Sequence, residues 1–171
     1  MSSVVDKKKM NPHTTHWLFC VLEHMKTFLL LLLTSFASTS MCGQFWHTDY
    51  SEAQKLAEAG GKPIVLVFQG SDWCAPCIKL DREVWSQPEF RDYAASHLVM
   101  LKADFPRRSK NALASDQAKA NAALAERYNR NGIFPLMVVL DKSGKVLGET
   151  SYQKIGPEGY IALIESYLSK S

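Results

Sequence analysis

Apolar and polar positions along the chain follow two periods, and those periods divide it into elements. From Asp49 to Ala59, Tyr50, Ala53, Leu56 and Ala57 recur at helical spacing, and Gly60-Gly61 ends the run. Lys62-Pro63 leads into Ile64-Val65-Leu66-Val67-Phe68, an unbroken apolar stretch that predicts a buried strand. A helix is predicted over Ala75 to Trp85. Ser86 is a candidate N-cap for a further short helix through Glu89 to Ser96, with Pro88 in its first turn. His97 to Asp104, containing Leu98-Val99-Met100-Leu101, reads as a strand. Phe105 to Lys110 reads as a polar, basic loop. Ala112 to Tyr128 is Ala-rich and helical, with Asn131-Gly132 as its C-cap. Strands at 136–140 and 145–149 flank a turn at Asp141-Lys142-Ser143-Gly144. A last helix runs from Pro157 to Leu168, with Tyr160, Ile161, Leu163, Ile164 and Leu168 at core spacing. The order is βαβ followed by ββα. It predicts one α/β domain, without internal repeats, built on a mixed sheet with helices on both faces.

The first 43 residues do not fit that domain. Met25-Lys26-Thr27 precedes Phe28-Leu29-Leu30-Leu31-Leu32-Leu33 and then a small-residue stretch, Thr34 to Ser40. A positive residue, a short apolar core and small residues make a secretory signal peptide. The apolar run from Thr27 to Ala37 is eleven residues, short of the roughly 20 that a membrane-spanning helix needs. The boundaries are therefore read as 1–24 an upstream extension or long n-region, 25–43 a signal peptide, and 44–171 the domain. Translation starting at Met25 would explain the extension. Cys42 raises lipid anchoring as a second option, although Met41 before it is a poor fit to the small residue expected there. Export is the expected localisation, periplasmic or otherwise outside the cytoplasm.

Charge adds little. The whole chain carries 20 Lys and Arg against 17 Asp and Glu. Removing Lys7, Lys8, Lys9, Lys26, Asp6 and Glu23 with the leader leaves 16 against 15, a net charge of +1. No basic stripe or aromatic interleaving points to nucleic acid.

Candidate chemistry sits at the strand-to-helix junction. Trp73-Cys74-Ala75-Pro76-Cys77 follows the first buried strand and opens the next helix. A helix N-terminus carries partial positive charge and free N–H groups, and both stabilise a thiolate. Cys74 is therefore expected to be an activated nucleophile, with Cys77 one turn in to resolve the mixed disulfide. Three readings of the pair are open: redox exchange, a static disulfide, or half a zinc site. Zinc takes about four ligands, and only His47 and His97 remain in the exported chain, at no ligand-like spacing. A two-residue loop makes a poor structural staple, which favours exchange. Pro76 falls in the first helical turn, where its missing N–H costs little. Farther along, Phe134-Pro135 opens an apolar strand, where a cis peptide bond can sit.

Trp73-Cys74-x-Pro76-Cys77 with Pro135 before a later strand resembles the thioredoxin family over roughly residues 45 to 169. Gly70-Ser71-Asp72-Trp73-Cys74 is similar to its secreted bacterial branch. The resemblance implies a thioredoxin fold and a thiol–disulfide oxidoreductase that needs no cofactor or metal. It implies catalysis by Cys74 and Cys77 as the redox disulfide, with Trp73, Pro76 and Pro135 in support. Pro135 becomes the family's cis-proline packed over the disulfide. Phe134 and Trp73 become substrate-binding, with the Phe134 backbone pairing to an extended client chain. Implied partners are disulfide-containing or dithiol client proteins and a membrane electron donor, with a monomeric chain. Reduction of protein disulfides is the expected direction. A peptide-binding module, a disulfide isomerase and an apocytochrome reductase remain alternatives.

The chain also departs from the family. Where relatives carry a buried carboxylate six residues before the first cysteine, this chain has Phe68, and the companion lysine aligns with Met100. Asp72, Lys79, Asp81 and Asp104 are then candidates for handling protons, each with a plainer role as an exposed or capping residue. Slower or more pH-dependent exchange is expected. From Cys77 to Pro135 is 58 residues, a span enlarged at 105–125. That region contains Arg107, Arg108 and Lys110, which read as a solvated basic loop or a docking surface.

Overall fold

The computed structural model describes residues 46–170. The leader, Cys42 and Phe45 lie outside the described residues. Five strands form one mixed sheet: β1 Trp46–His47, β2 Ile64–Gln69, β3 Val99–Asp104, β4 Leu136–Leu140 and β5 Val146–Ser151. Their spatial order is β1-β3-β2-β4-β5. β3 runs parallel to both β1 and β2, while β4 is antiparallel to β2 and β5. Five helices cover the sheet: α1 Tyr50–Gly60, α2 Ala75–Leu80, α3 Pro88–His97, α4 Ser115–Tyr128 and α5 Gly156–Leu168.

The central strands are buried on both faces, as their continuous apolar runs require. On one face Ile64, Leu66 and Phe68 of β2 join Leu101, Ala103 and Val138 against Ala53 and Ala57 of α1 and Leu124 and Tyr128 of α4. On the other, Val65, Val67, Met100 and Met137 pack against Leu80, Trp85, Phe90 and Ala94 and against Tyr160 and Ile164 of α5. Trp85 anchors that side, its ring edge-on to Phe90 at 4.7 Å and Tyr160 at 5.2 Å. An aromatic pair of this kind contributes about 0.5–1.5 kcal/mol beyond its buried area.

Several boundaries differ from expectation, each for a local reason. The helix after Cys74 does not stay α-helical to Trp85. It widens to a π-helical turn over Asp81–Trp85, closed by the Ser86 N–H on the Asp81 carbonyl at 2.8 Å. Ser86 ends this element, its hydroxyl on Asp81 at 3.3 Å, and Gln87 takes the N-cap position of α3. His97 belongs to the last turn of α3, so β3 begins at Val99. A 3₁₀ turn at Ser109–Asn111 precedes α4, which starts at Ser115 rather than Ala112. α4 ends at Tyr128, and Gly132 sits in a following turn at φ 62°, its N–H on the Asn129 carbonyl at 3.0 Å. β1 has no sequence signature, being two residues long. It exists because the edge of β3 accepts it, Trp46 opposite Met100.

Candidate functional site

α2 begins where β2 ends, and the join is a tight turn. The Cys74 N–H donates to the Gly70 carbonyl at 2.9 Å. Gly70 is buried, and a Cβ there would run into the Trp73 ring. A glycine at this point therefore lets the indole fold back over the turn. Cys74 is the N-cap of α2, with extended backbone, and its Sγ accepts from the Cys77 N–H at 3.3 Å. Pro76 lies in the first helical turn, where no partner is lost.

Cys74 and Cys77 form a disulfide, with Cα atoms 5.2 Å apart. Both residues are 4% exposed, so exposure does not distinguish them. Position does: only Cys74 has its sulfur at the open end of the helix, against a backbone donor. When the bond is reduced, that N–H is available to a thiolate on Cys74.

Phe134–Pro135 is a cis peptide. Its approach is set by Asn129, a buried residue that brackets the turn. The Ile133 N–H donates to Asn129 Oδ1 at 2.8 Å, and Asn129 Nδ2 donates to the Ile133 carbonyl at 2.9 Å. The Phe134 ring lies 5.5 Å from Trp73 and 5.4 Å from Phe105. Phe105 in turn lies 6.5 Å from Phe68. An aromatic chain thus runs from the core to the disulfide turn.

The four candidate proton-handling residues have definite partners. Asp72 accepts from the Arg107 and Arg108 N–H groups and from Asn111 Nδ2, each at 2.9 Å. The Arg107 N–H chiefly, with Asn111, the Arg108 N–H and the Arg108 charge, holds this carboxyl below the ordinary carboxylate range against the opposing effect of desolvation. Asp104 accepts from the Ser71 N–H at 2.9 Å and the Ser71 hydroxyl at 2.6 Å. Lys79 lies 5.4 Å from the centre of the Tyr152 ring and 4.0 Å from Glu83. Its pKa is raised, first by the Tyr152 hydroxyl and then by Glu83. Asp81 lines a polar cavity of about 200 Å³ with Cys77, Gln69, Ser71 and Lys102. Lys102 was not among the candidates, because its residue type carries no local signal.

Phe68 is fully buried and faces Ala103 in register. Met100 is opposite Val65 and packs on the other face of the sheet. It is therefore not the neighbour of Phe68, and the expected pairing of the two substitutions is corrected. Leu101 and Ala103 share the Phe68 face. Sequence reasoning placed Gly70 in the motif without a role and missed Asn129 and Asn121. A lone glycine or asparagine has no periodic signature, and Asn121 acts by donating to the Asp104 carbonyl at 2.8 Å, across 17 residues.

The arrangement can exchange a dithiol for a disulfide at Cys74 and Cys77, beside the half-buried rings of Trp73, Phe105 and Phe134. Residues 45–142 match the family model described as thioredoxin-like. The disulfide bond reductase DsbH of Chlamydia pneumoniae is 36% identical over 120 residues, 70% of each chain. A solved DsbH oxidoreductase superposes with a TM-score of 0.69 at 32% identity, covering 75% of this chain and 87% of that one. A thioredoxin from Thermus thermophilus has the same fold, with a TM-score of 0.56 at 21% identity, over 75% of this chain and 89% of its own.

Proposed function

The chain belongs to the thioredoxin-like family, and from that premise we propose that it is an exported thiol–disulfide oxidoreductase that reduces client protein disulfides through Cys74 and Cys77. The observation that carries this reading is the Cys74–Cys77 disulfide at the N-terminus of α2, with Cys74 Sγ on the Cys77 N–H. The 36% identity to a disulfide bond reductase supports the reducing direction.

In the reduced chain, the Cys74 thiolate attacks one sulfur of a client disulfide. The client S–S bond breaks and its other sulfur leaves as a thiolate. Cys77 then loses its proton and attacks Cys74 Sγ, which releases the second client sulfur. The client gains two electrons and two protons, and the enzyme is left with the Cys74–Cys77 bond seen here. A donor dithiol must reduce that bond to close the cycle, and a membrane electron donor fits an exported enzyme. Trp73 and Phe134 flank the docking surface, and Pro135 is proposed to present the Phe134 backbone to an extended client segment. Export rests on the leader at 25–43. Among the described residues no helix is long and apolar enough to cross a membrane.

The test is the reduction potential of residues 44–171, from thiol trapping in glutathione buffers. A value near about −270 mV makes the chain a reductant that depends on a donor. A value near about −120 mV makes it an oxidant and reverses the proposed direction, since roughly 30 mV corresponds to about 1.4 kcal/mol for this couple.

A further inference from the structure

The connection between β3 and α4 is fastened onto the disulfide turn. Asp72, two residues before Cys74, holds the Arg107 and Arg108 N–H groups and the Asn111 side chain. Trp73 Nε1 donates to the Phe105 carbonyl at 2.7 Å. The Arg107 guanidinium carbon then sits 3.7 Å from the centre of the Trp73 ring, inside cation–π range. Because Trp73 also contacts Phe134, Arg107 tops the aromatic wall beside the disulfide and the cis peptide.

The charges of this rim are only partly balanced from within, Arg108 by Asp72. Arg107, Arg108 and Lys110 are all exposed. Among the described residues, neither Arg107 nor Lys110 forms an ion pair. Of the two carboxylates bordering the loop, Asp72 accepts from loop N–H groups and offsets Arg108, and Asp104 accepts from Ser71; neither pairs with Arg107 or Lys110. An arginine stacked on a ring keeps its N–H fork for an acceptor, and its geometry suits a carboxylate. Beside the rim lies a largely apolar cavity of about 290 Å³, lined by Phe105, Pro106, Ala112, Leu113 and Ala118, with Asp104 at its edge, where Ser71 holds the carboxylate. The surface thus pairs two cations that form no ion pair among the described residues, Arg107 and Lys110, with a largely apolar recess, near the reactive sulfurs.

We infer that the 105–113 connection selects clients: it docks an acidic segment of the polypeptide flanking the client disulfide, with Arg107 and Lys110 facing its carboxylates and the Phe105–Leu113 recess holding an apolar side chain. The inference rests on the exchange activity proposed above and names the class of client it acts on. Arg107 and Lys110 are specificity residues. The bond-making steps stay with Cys74 and Cys77.

The test uses the full exported domain and disulfide-bridged peptides that differ only in their flanks. One set carries Glu-Leu-Glu, a second Lys-Leu-Lys and a third Glu-Gly-Glu. The acidic Leu peptide is expected to exceed the basic one in kcat/KM by about tenfold at low salt, the scale of two exposed ion pairs with favourable geometry. The ratio should shrink at about 0.5 M salt, where screening is strong. The double variant Arg107→Glu with Lys110→Glu is expected to invert the order of acidic and basic peptides, which misfolding cannot do. Replacing Leu by Gly is expected to raise KM several-fold with kcat little changed. Equal kcat/KM for acidic and basic flanks, or a preference that survives the double charge swap, overturns the inference. If Glu-Gly-Glu matches Glu-Leu-Glu, the apolar recess plays no part. Cys74→Ser separates the two proposals. Loss of turnover on every peptide keeps the exchange reading whatever the flanks show, and retained turnover ends that reading itself.

Discussion

The Gly70–Cys77 turn and the Phe105–Asn111 connection lie against each other beside the disulfide, but different forces hold them. Around the sulfurs the turn is held by contacts three or four residues long, Cys74 N–H to Gly70, Cys77 N–H to Cys74 Sγ, and Ile78 N–H to the Cys74 carbonyl at 3.1 Å, while Ser71 at its start is held by Asp104 across 33 residues. The connection is held by side-chain bonds that span 32 to 39 residues, three of them on the single carboxylate of Asp72. The placement of the two sulfurs therefore rests mainly on local backbone geometry. The rim rests largely on one carboxylate, with the Trp73 Nε1 bond to the Phe105 carbonyl beside it. Arg107 and Lys110 are exposed, so their charges can be changed without removing a residue of the dithiol turn.

The comparison breaks most severely at the sulfurs. Cys74→Ser is expected to abolish reduction of disulfide substrates. Cys77→Ser should stop the reaction halfway, leaving a covalent client adduct on Cys74 that mass spectrometry detects. An adduct on Cys77 in the Cys74→Ser chain instead would reverse the assigned roles.

A smaller effect is expected from Gly70→Ala. The added methyl meets the Trp73 ring in a buried place, and overpacking of this kind costs about 1–3 kcal/mol. Urea midpoints with an unchanged slope measure it, and Trp73 fluorescence should report the displaced ring. Asn129→Ala tests the third segment, the turn that delivers Pro135. It strips both partners from the half-buried Ile133 backbone groups, a loss of about 0.5–1.5 kcal/mol per bond. Its signature is a stability loss together with a higher KM for peptide clients, because the Phe134 edge moves with the turn.

The smallest expected effect sharpens the comparison best. Asp72→Asn should leave the urea midpoint almost unmoved while the Arg107 and Arg108 amides exchange faster with solvent. The pH sign follows from the carboxyl lying below its ordinary value. A depressed folded-state pKa supports the tether above the ordinary carboxylate pKa and withdraws it as pH falls through the lowered value. Amide protection in the loop should therefore persist at neutral and mildly acidic pH and fade only under strongly acidic conditions. Loss of protection near neutral pH would show that Asp72 is not the fastening group.

Much of this was legible beforehand. The strands at 64–69 and 136–140 announced themselves as continuous apolar runs, and α1 and α5 as helical periodicities with recognisable ends. The dithiol was legible because cysteine spacing and the strand-to-helix switch are both local. The π-helical turn was not, since a change from i+4 to i+5 bonding leaves no mark in composition. Nor was the face of Met100. Strand residues alternate sides, so misplacing the companion of Phe68 by one position puts it on the opposite surface of the sheet.

Residues near one another in the chain thus settled the element order, the buried strands and the Cys74–Cys77 pair at a helix start, since those depend on periodicity and on spacings of a few positions. Tertiary structure alone decided that Asp72 is a tether, that Arg107 stacks on Trp73, that Asn129 holds the approach to Pro135, and that a two-residue strand joins the sheet edge. Each of these is a contact between segments distant in sequence. It becomes favourable only after the sheet and its two cores have brought the partners together.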